Sequence, residues 1–235
     1  MRNLLAVAGC LMIGCSHQPE PVPLGKIAGK VSFSGEKPAR KAITMDTDED
    51  CKKAHPGEVL TEDAVISDSG AVANVFVYIK EGLEGKKFPP AAAAVKFDQK
   101  GCLFRPRVIG LQTGQTLAVT NSDPVSHNIH PLPRENREWN QGQSPGAAPL
   151  ERQFAKPEIG IPVKCNVHAW MRGYVNVLEH PFFAVTGEDG RFEIKDVPAG
   201  EYTIEAWHEK LTPQTLKVTV AARAAASADF TLKGE

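Results

Sequence analysis

Short stretches in which apolar and polar residues alternate recur along this chain. Residues 25–35 place Ile27, Val31 and Phe33 between polar neighbours and end at a glycine. Alternation with a period of two puts successive side chains on opposite faces of a strand, so this stretch predicts a half-buried strand. Residues 71–80 are rich in β-branched and aromatic residues and predict a second strand.

Further short segments bounded by turn residues predict more strands. They cover residues 94–98, 105–110, 115–120, 128–130, 173–178, 198–207, 216–220 and 228–232. Residues 183–194 flank Asp189–Gly190, a dipeptide typical of tight hairpin turns, and predict a hairpin. Residues 36–62 are polar and predict a loop with at most a short helix, and residues 131–153 predict a surface loop. The 20 Gly and 18 Pro are spread along the chain, so we predict an all-β fold with many turns.

The overall charge and composition narrow the class of partner. The chain is 42% hydrophobic and 23% charged, which is ordinary for a globular protein. Its formal net charge is -1, and it has no basic stripe of the kind that binds nucleic acid. We therefore expect no nucleic-acid partner.

The N-terminus has the pattern of an export signal. One arginine precedes a short apolar run, Leu4–Ile13, which is too short to span a bilayer and fits a secretory signal. The ending Leu11-Met-Ile-Gly-Cys15 resembles a bacterial lipobox, which implies that Cys15 carries a lipid anchor in the membrane. A plain secretory signal cut after Gly14 is the alternative. Ser16 lacks the aspartate of an inner-membrane retention signal, so we expect a periplasm-facing or cell-surface lipoprotein, with the outer membrane favoured.

One downstream stretch carries metal-ligand chemistry. Cys165, His168 and Met171 follow a Cys-x2-His-x2-Met spacing. Thiolate, imidazole and thioether are donors that suit copper. His127 is the candidate fourth ligand; His130 lies three residues later, would face the other side of a strand, and is the alternative. The structural alternative is that these residues are an ordinary buried cysteine, histidine and methionine.

The five cysteines can each be given one role. If Cys10 leaves with the signal and Cys15 carries lipid, three remain in an oxidising compartment, where an unoccupied thiol is a liability. Cys51 and Cys102 would then form a disulfide, and Cys165 would be a metal thiolate. Cys165 could instead pair with either of the others, which would exclude the copper interpretation.

Residues from about 91 to 180 resemble a cupredoxin, the blue-copper family that includes plastocyanin and amicyanin. An upstream histidine on a strand end and a Cys-His-Met loop between two strands carry the resemblance. It implies a Greek-key β-sandwich and one type 1 copper ion. His127, Cys165 and His168 would be the trigonal ligands, and Met171 the weak axial ligand.

The same resemblance assigns further roles to Asn128 and His168, whereas the role of Trp170 follows from its position beside His168. Asn128 would tie the two ligand loops together and hydrogen-bond near the thiolate sulfur. His168 would present its ring edge to a partner, and Trp170 would pack under the loop or flank the docking surface.

The end of the chain resembles the carboxypeptidase regulatory-like, or transthyretin-like, sandwich. The Thr-Gly-Glu-Asp-Gly-Arg-Phe hairpin sequence and the following Val-Pro-Ala-Gly-Glu-Tyr carry this resemblance. Only the second half of that smaller, prealbumin-like sandwich follows residue 181, so we interpret the cupredoxin as an insertion. The predicted organisation is a signal peptide (1–15), a tether (16–24), the first part of the sandwich (25–87), the cupredoxin (88–180) and the second part of the sandwich (181–235).

The combined features predict a one-electron carrier at the cell envelope. Such a carrier needs redox partners, for which a cytochrome or an oxidoreductase at the same membrane surface is expected. The sequence has no Ser-His-Asp signature, paired-carboxylate motif or phosphate loop, so we do not expect an enzyme. A copper-holding or trafficking lipoprotein without redox duty and a surface adhesion or carbohydrate-contact sandwich are the alternatives.

Overall fold

The computed structural model describes residues 23–234. The predicted signal peptide, the lipidation site Cys15 and most of the tether lie outside the described residues. The predicted tether extends to residue 24, but Leu24 already begins the first strand. Within the described range, no helix is long and apolar enough to cross a membrane.

Strands dominate the described part of the chain, which confirms the all-β class. One short helix interrupts them, α1 (Glu49–Lys53). The strands are β1 (Leu24–Phe33), β2 (Phe76–Glu81), β3 (Val95–Gln99), β4 (Phe104–Arg105), β5 (Val108–Gln112), β6 (Leu117–Asn121), β7 (His127–Pro131), β8 (Gln141–Gln143), β9 (Leu150–Arg152), β10 (Glu158–Lys164), β11 (Arg172–Leu178), β12 (Phe183–Val185), β13 (Arg191–Pro198), β14 (Gly200–His208), β15 (Leu211–Val220), β16 (Ala225–Ser227) and β17 (Phe230–Leu232).

The first sandwich combines the two ends of the described chain. Strand β1 pairs antiparallel with β13 and parallel with β16 and β17. The facing sheet has the order β12-β2-β14-β15. Ile27, Val31, Val77 and Ile204 are among the fully buried residues between these sheets. Strands before residue 88 thus pair with strands after residue 181, which is the pairing expected if the second sandwich is inserted into the first. The bounds of the two domains stay a prediction.

The second sandwich contains the strands between these two parts. One sheet has the order β5-β11-β10-β7-β8, and the other has the order β4-β3-β6-β9. Phe97, Leu117 and Val175 are buried in its core. Met45 and Cys51 also pack into this core, although the sequence predicts their segment in the other sandwich. The segment around α1 therefore crosses over and covers the second sandwich.

Residues 131–153 are not the simple surface loop that the sequence predicts. They contain β8 and β9, and β8 pairs with β7 so that Gln143 lies opposite His127. The Gln143 side chain is buried, donates to Val119 O (3.0 Å) and accepts from Gln99 Nε2 (2.7 Å). Side-chain amides hold this strand in place, and a hydropathy pattern does not reveal such bonds.

The predicted hairpin over residues 183–194 is wrong. Strand β12 pairs with β2, whereas β13 pairs with β1 in the facing sheet. The Thr186 hydroxyl accepts the Val75 N–H (3.0 Å) and donates to Val72 O (2.7 Å), which anchors the first strand to its own sheet. The Asp189–Gly190 turn therefore carries the chain from one sheet to the other.

The strand predicted over residues 71–80 begins later than expected. Residues 71 and 72 form only isolated bridges, and β2 starts at Phe76. Asn74 has a φ of 62°, in the left-handed region that interrupts an extended strand. Propensity alone cannot locate this break.

A third apolar cluster joins the two sandwiches. It buries Phe76 and Tyr78 of β2 against Val108 of β5 and Leu178 of β11. Gly110 permits this approach, because a Cβ there would lie 2.5 Å from the rings of Phe76 and Phe183. The second sandwich is thus held against the first by packed side chains as well as by its chain connections.

Candidate metal site

The strand register brings two distant segments to one end of the second sandwich. Strand β7 begins at His127, and β10 ends at Lys164, just before the loop that carries Cys165 and His168. The two strands are antiparallel, with Lys164 opposite His130. Chain continuing past Lys164 therefore runs beside the start of β7, which places the loop next to His127.

The donor atoms of three predicted ligands converge. Nδ1 of His127 and Nδ1 of His168 lie 3.0 Å apart, and Sγ of Cys165 lies 3.9 Å from Nδ1 of His168. Donor atoms of these three residues all lie within 4.8 Å of one another. Two nitrogens that share a first-row ion such as zinc, each about 2.0 Å from it, are at most about 4 Å apart, and a sulfur adds about 0.3 Å to that span. The distances of 3.0 Å between the two nitrogens and 3.9 Å between the sulfur and Nδ1 of His168 lie within these limits for a single ion.

Met171, the predicted axial ligand, closes the same loop. Its backbone N–H donates to His168 O (2.9 Å), and its carbonyl accepts the Cys165 N–H (3.2 Å). Its side chain is fully buried in the core of the second sandwich. The two hydrogen bonds make Cys165–Met171 a closed turn rather than an open loop.

Asn128 joins the two ligand segments. Its Oδ1 accepts the Asn166 N–H (2.7 Å) and lies 3.3 Å from Cys165 Sγ. Its Nδ2 donates to Asn140 Oδ1 (2.7 Å). Asn128 thus links the strand that carries His127 to the loop that carries Cys165.

His130 lies outside the converging donors. Its Nδ1 is 3.2 Å from Asn166 Oδ1, and its Nε2 is 2.6 Å from the carboxylate of Glu138. As predicted for a strand, it faces away from His127. The structure therefore brings His127, and not His130, together with the cysteine loop.

Asp123 is a functional candidate that the sequence reasoning missed. Its carboxylate accepts Nε2–H of His127 (2.8 Å) and the backbone N–H groups of Gly101 (2.6 Å) and Cys102 (2.7 Å). A carboxylate on one ring nitrogen fixes the tautomer that leaves the other nitrogen free for a metal. The spacing of four residues between Asp123 and His127 was the available sequence signal.

The electrostatics of the site make the Cys165 thiol easier to ionise than an ordinary cysteine. Burial raises the pKa of Cys165, but hydrogen bonds from His127 and from backbone N–H groups outweigh it and hold that pKa below its ordinary value. Burial lowers the pKa of His127, yet Asp123 and Cys165 raise it to about 9 overall. A thiolate is the form that binds a metal, and binding would displace the proton from His127.

The prediction that His168 presents its ring edge to a partner is wrong. His168 is 1% exposed. Its Nε2 lies 3.5 Å from Asp48 Oδ2 and 3.7 Å from Cys51 Sγ. The start of α1 therefore covers the edge, although the segment is remote in sequence from the loop.

The predicted disulfide between Cys51 and Cys102 is present, and Cys165 is a buried free thiol. Trp170 packs under the loop beside this bond. Its Nε1–H donates to Cys102 O (3.1 Å), and its ring centre lies 5.1 Å from that of His168. The disulfide and the metal-ligand loop thus form one packed unit.

A second buried polar cluster lies where the two sandwiches meet. Arg107 is 5% exposed and donates to Glu209 Oε1 (2.7 and 3.1 Å) and to Asp63 Oδ1 (3.1 Å). His208 Nε2 and Glu209 Oε2 lie 3.6 Å apart. Sequence reasoning treats His208 as a strand end beside an aromatic anchor, and the tertiary contact with Arg107 cannot be read from it.

Comparison with known proteins adds two findings. Residues 174–233 match the model of the carboxypeptidase regulatory-like domain. No curated protein matches the chain. The match begins inside β11 and covers strands β12–β17, so β1 and β2 complete that sandwich from outside the matched range.

Solved structures similar to this chain include a copper-containing nitrite reductase, a purple cupredoxin and amicyanin. A copper-containing nitrite reductase from Thermus scotoductus SA-01 is 20% identical over 43% of this chain, with a TM-score of 0.35, and this chain spans 25% of its length. A purple cupredoxin from Nitrosopumilus maritimus is 21% identical over 35% of this chain and 98% of its own, with a TM-score of 0.31. An oxidised point mutant of amicyanin is 18% identical over 43% of this chain and 97% of its own, with a TM-score of 0.33.

Proposed function

We propose that this protein binds one copper ion through His127, Cys165, His168 and Met171 and carries electrons one at a time at the cell envelope. The convergence of two imidazole nitrogens and a thiol in a buried turn carries the proposal. A soft thiolate with two imidazoles and a thioether is the donor set of a type 1 copper site. The redox change would belong to the metal.

The role of the chain in this proposal is to hold the donors still. His127 lies on a strand, and Cys165, His168 and Met171 lie in a turn closed by two backbone hydrogen bonds. Asp123 fixes one ring, and Asn128 joins the two segments. Donors that are fixed before the ion binds rearrange little when the ion gains or loses an electron.

The same proposal includes a place in the cell. Lipid at Cys15 would keep the protein at a periplasm-facing or cell-surface membrane, with the outer membrane favoured. A cytochrome or an oxidoreductase at that surface would donate and accept the electrons. No substrate chemistry is part of the proposal, because all four candidate donors are assigned to the ion.

One observation favours a second function, copper holding without electron transfer. Asp48 and the start of α1 cover the ring edge of His168, where the sequence predicts contact with a redox partner. A fully buried ion exchanges slowly with its surroundings, which is useful for storage or delivery. The two functions share the ligands and differ in the behaviour of the loaded protein.

Copper titration of the protein followed by visible absorption tests the proposal. We expect a strong band from thiolate-to-copper charge transfer at one equivalent of Cu(II), and its loss in Cys165→Ser. His127→Ala should also remove the band. Tight Cu(I) binding without a coloured Cu(II) form would indicate copper holding, and no copper binding would contradict both functions and favour an adhesion module.

A further inference from the structure

We propose that Asp48 is a positioning residue for His168 and that a disulfide-linked cap controls copper exchange. The cap consists of residues 48–53 together with the Cys51–Cys102 disulfide. This inference rests on the proposed function, because it concerns how the copper ligands are held. It goes beyond the ligand set, since the cap belongs to neither ligand segment.

The two oxygens of Asp48 have separate contacts. Oδ1 accepts the backbone N–H groups of Asp50 (3.0 Å) and Cys51 (3.1 Å), as the N-cap of α1. Oδ2 lies 3.5 Å from Nε2 of His168. An imidazole that binds metal through Nδ1 carries its proton on Nε2, so the free oxygen of Asp48 lies near that N–H, which also has Sγ of Cys51 at 3.7 Å.

The disulfide connects the supports of both imidazoles. The Cys51 N–H binds Asp48, which faces His168. Across the disulfide, the Cys102 N–H binds Asp123, which holds Nε2 of His127. One covalent bond therefore links the carboxylate behind each ring, and each ring turns its Nδ1 towards the other.

The cap closes one side of the site. His127 and Cys165 are each 2% exposed and His168 is 1% exposed. Val167, beside His168 in the loop, is 62% exposed, so the loop itself reaches the surface while the ring is covered by the cap. An ion that enters or leaves along the His168 edge must displace Asp48 and the first turn of α1. We therefore expect the disulfide, which tethers that turn, to slow copper exchange.

A variant at Asp48 can separate the effect of its negative charge on His168 from its role as the N-cap of α1. Asp48→Asn keeps an N-cap acceptor, because asparagine caps helices as well as aspartate does, but it removes the carboxylate from His168. Asp50→Asn is the matched control: it makes the same charge change in the same helix, where the exposed Asp50 pairs with Lys53. Cys51→Ser with Cys102→Ser releases the tether without adding a thiol reductant that would itself bind copper.

The measurements are copper extraction from the Cu(II)-loaded full chain by a Cu(II) chelator, the reduction potential and the visible spectrum. Loss of a carboxylate that orients a metal-bound histidine lowers metal affinity by roughly 10–100-fold, so we expect Asp48→Asn to lose copper about tenfold faster. If the loss falls mainly on Cu(II), a tenfold change raises the potential by about 59 mV. The double serine variant should also speed extraction about tenfold, and Asp50→Asn should match the wild type in all three readouts.

The outcomes distinguish this inference from the proposed function. If the wild type takes up no copper, both are overturned. If the wild type is loaded and coloured, but Asp48→Asn and the double serine variant keep its extraction rate and potential, only the cap is overturned. Unfolding free energies of Asp48→Asn and Asp50→Asn check that folding is intact, since a purely structural role for Asp48 would change stability and leave the potential alone.

Discussion

Two buried clusters in this protein combine histidine with carboxylates, and they differ in where the donor atoms point. In the proposed metal site, the carboxylates lie behind the rings, at Nε2 of His127 and near Nε2 of His168, and both Nδ1 atoms face inward. In the cluster between the sandwiches, the guanidinium of Arg107 occupies the space between Glu209 and Asp63. The proposed metal site directs its donor atoms at a common point, whereas the cluster between the sandwiches already contains a positive charge, the guanidinium of Arg107.

The difference shows that burial and residue type do not identify a metal site. Both clusters contain a histidine that is 2% exposed or less and a carboxylate within 4 Å of it. Only the proposed metal site also contains a thiol, and there the histidine nitrogens nearest to the thiol are not held by a carboxylate. The second would repel a metal ion, because Arg107 already supplies a positive charge there. We expect the first cluster to control copper and the second to control stability.

The largest effect on stability should come from Arg107→Met. Removal of this side chain leaves Glu209 as an unpaired buried charge, which costs roughly 3–5 kcal/mol of unfolding free energy. Chemical denaturation measures it. Arg105→Met is the matched control, because the more exposed Arg105–Glu62 pair should be worth roughly 0–1 kcal/mol. Equal losses in the two variants, or loss of the copper band in folded Arg107→Met, would contradict the division between the clusters.

Acid should destabilise the protein through His208. Burial, and then the charge of Arg107, lower the pKa of His208 to about 4. The unfolded chain therefore takes up this proton near pH 6.5 and the folded protein near pH 4, so stability falls as pH drops through this window, by about 3 kcal/mol in total. His208→Gln, whose oxygen can accept the Lys210 N–H that His208 accepts, should flatten the slope.

Denaturation midpoints at several pH values measure the effect of His208. Glu209 opposes the trend, because burial raises its pKa and it gains a proton earlier in the folded state. The difference between the wild type and His208→Gln isolates the histidine. An identical pH dependence of the denaturation midpoint in the wild type and His208→Gln would contradict the prediction.

Asp123→Asn should weaken copper binding by roughly 10–100-fold, which corresponds to about 1.4–2.7 kcal/mol. The asparagine has a single side-chain oxygen, so it can accept only one of the backbone N–H groups that the two oxygens of Asp123 accept from Gly101 and Cys102, and it lacks the charge that supports His127. Competition with a chelator of known affinity measures the loss. Asp98→Asn is the control in the same sandwich, since Asp98 accepts the hydroxyls of Thr120 and Ser122. Unchanged affinity in Asp123→Asn would remove Asp123 from the site.

The smallest effect should come from His130→Ala. His130 contacts Asn166 and Glu138, and its pair with the exposed Glu138 contributes roughly 0–1 kcal/mol. The copper band should keep its position and intensity. A lost or shifted band would show that His130 takes part in ligation after all.

Local sequence reasoning reached part of this picture. The alternation of apolar and polar residues predicted the all-β class, because a half-buried strand places apolar residues on one face and polar residues on the other. The spacing in the sequence was enough to group Cys165, His168 and Met171, because all three lie in one closed turn. The pairing of Cys51 with Cys102, one of the combinations that the count allowed, is the pairing in the structure.

What sequence reasoning missed depends on tertiary contact. The cover over His168 comes from a helix more than a hundred residues upstream, which no local pattern relates to the loop. The role of Asp123 needs the backbone N–H groups of Gly101 and Cys102 on a neighbouring segment. The predicted hairpin failed because a good turn dipeptide does not state whether its two strands pair with each other or with different sheets.

X-ray absorption at the copper edge of the Cu(II)-loaded full chain tests the central claim most directly. We expect one short bond to a thiolate sulfur and two bonds to imidazole nitrogens, with the sulfur absent in Cys165→Ser. A first shell of oxygen and nitrogen without sulfur in the wild type would place the ion elsewhere and contradict the copper site proposed for this protein.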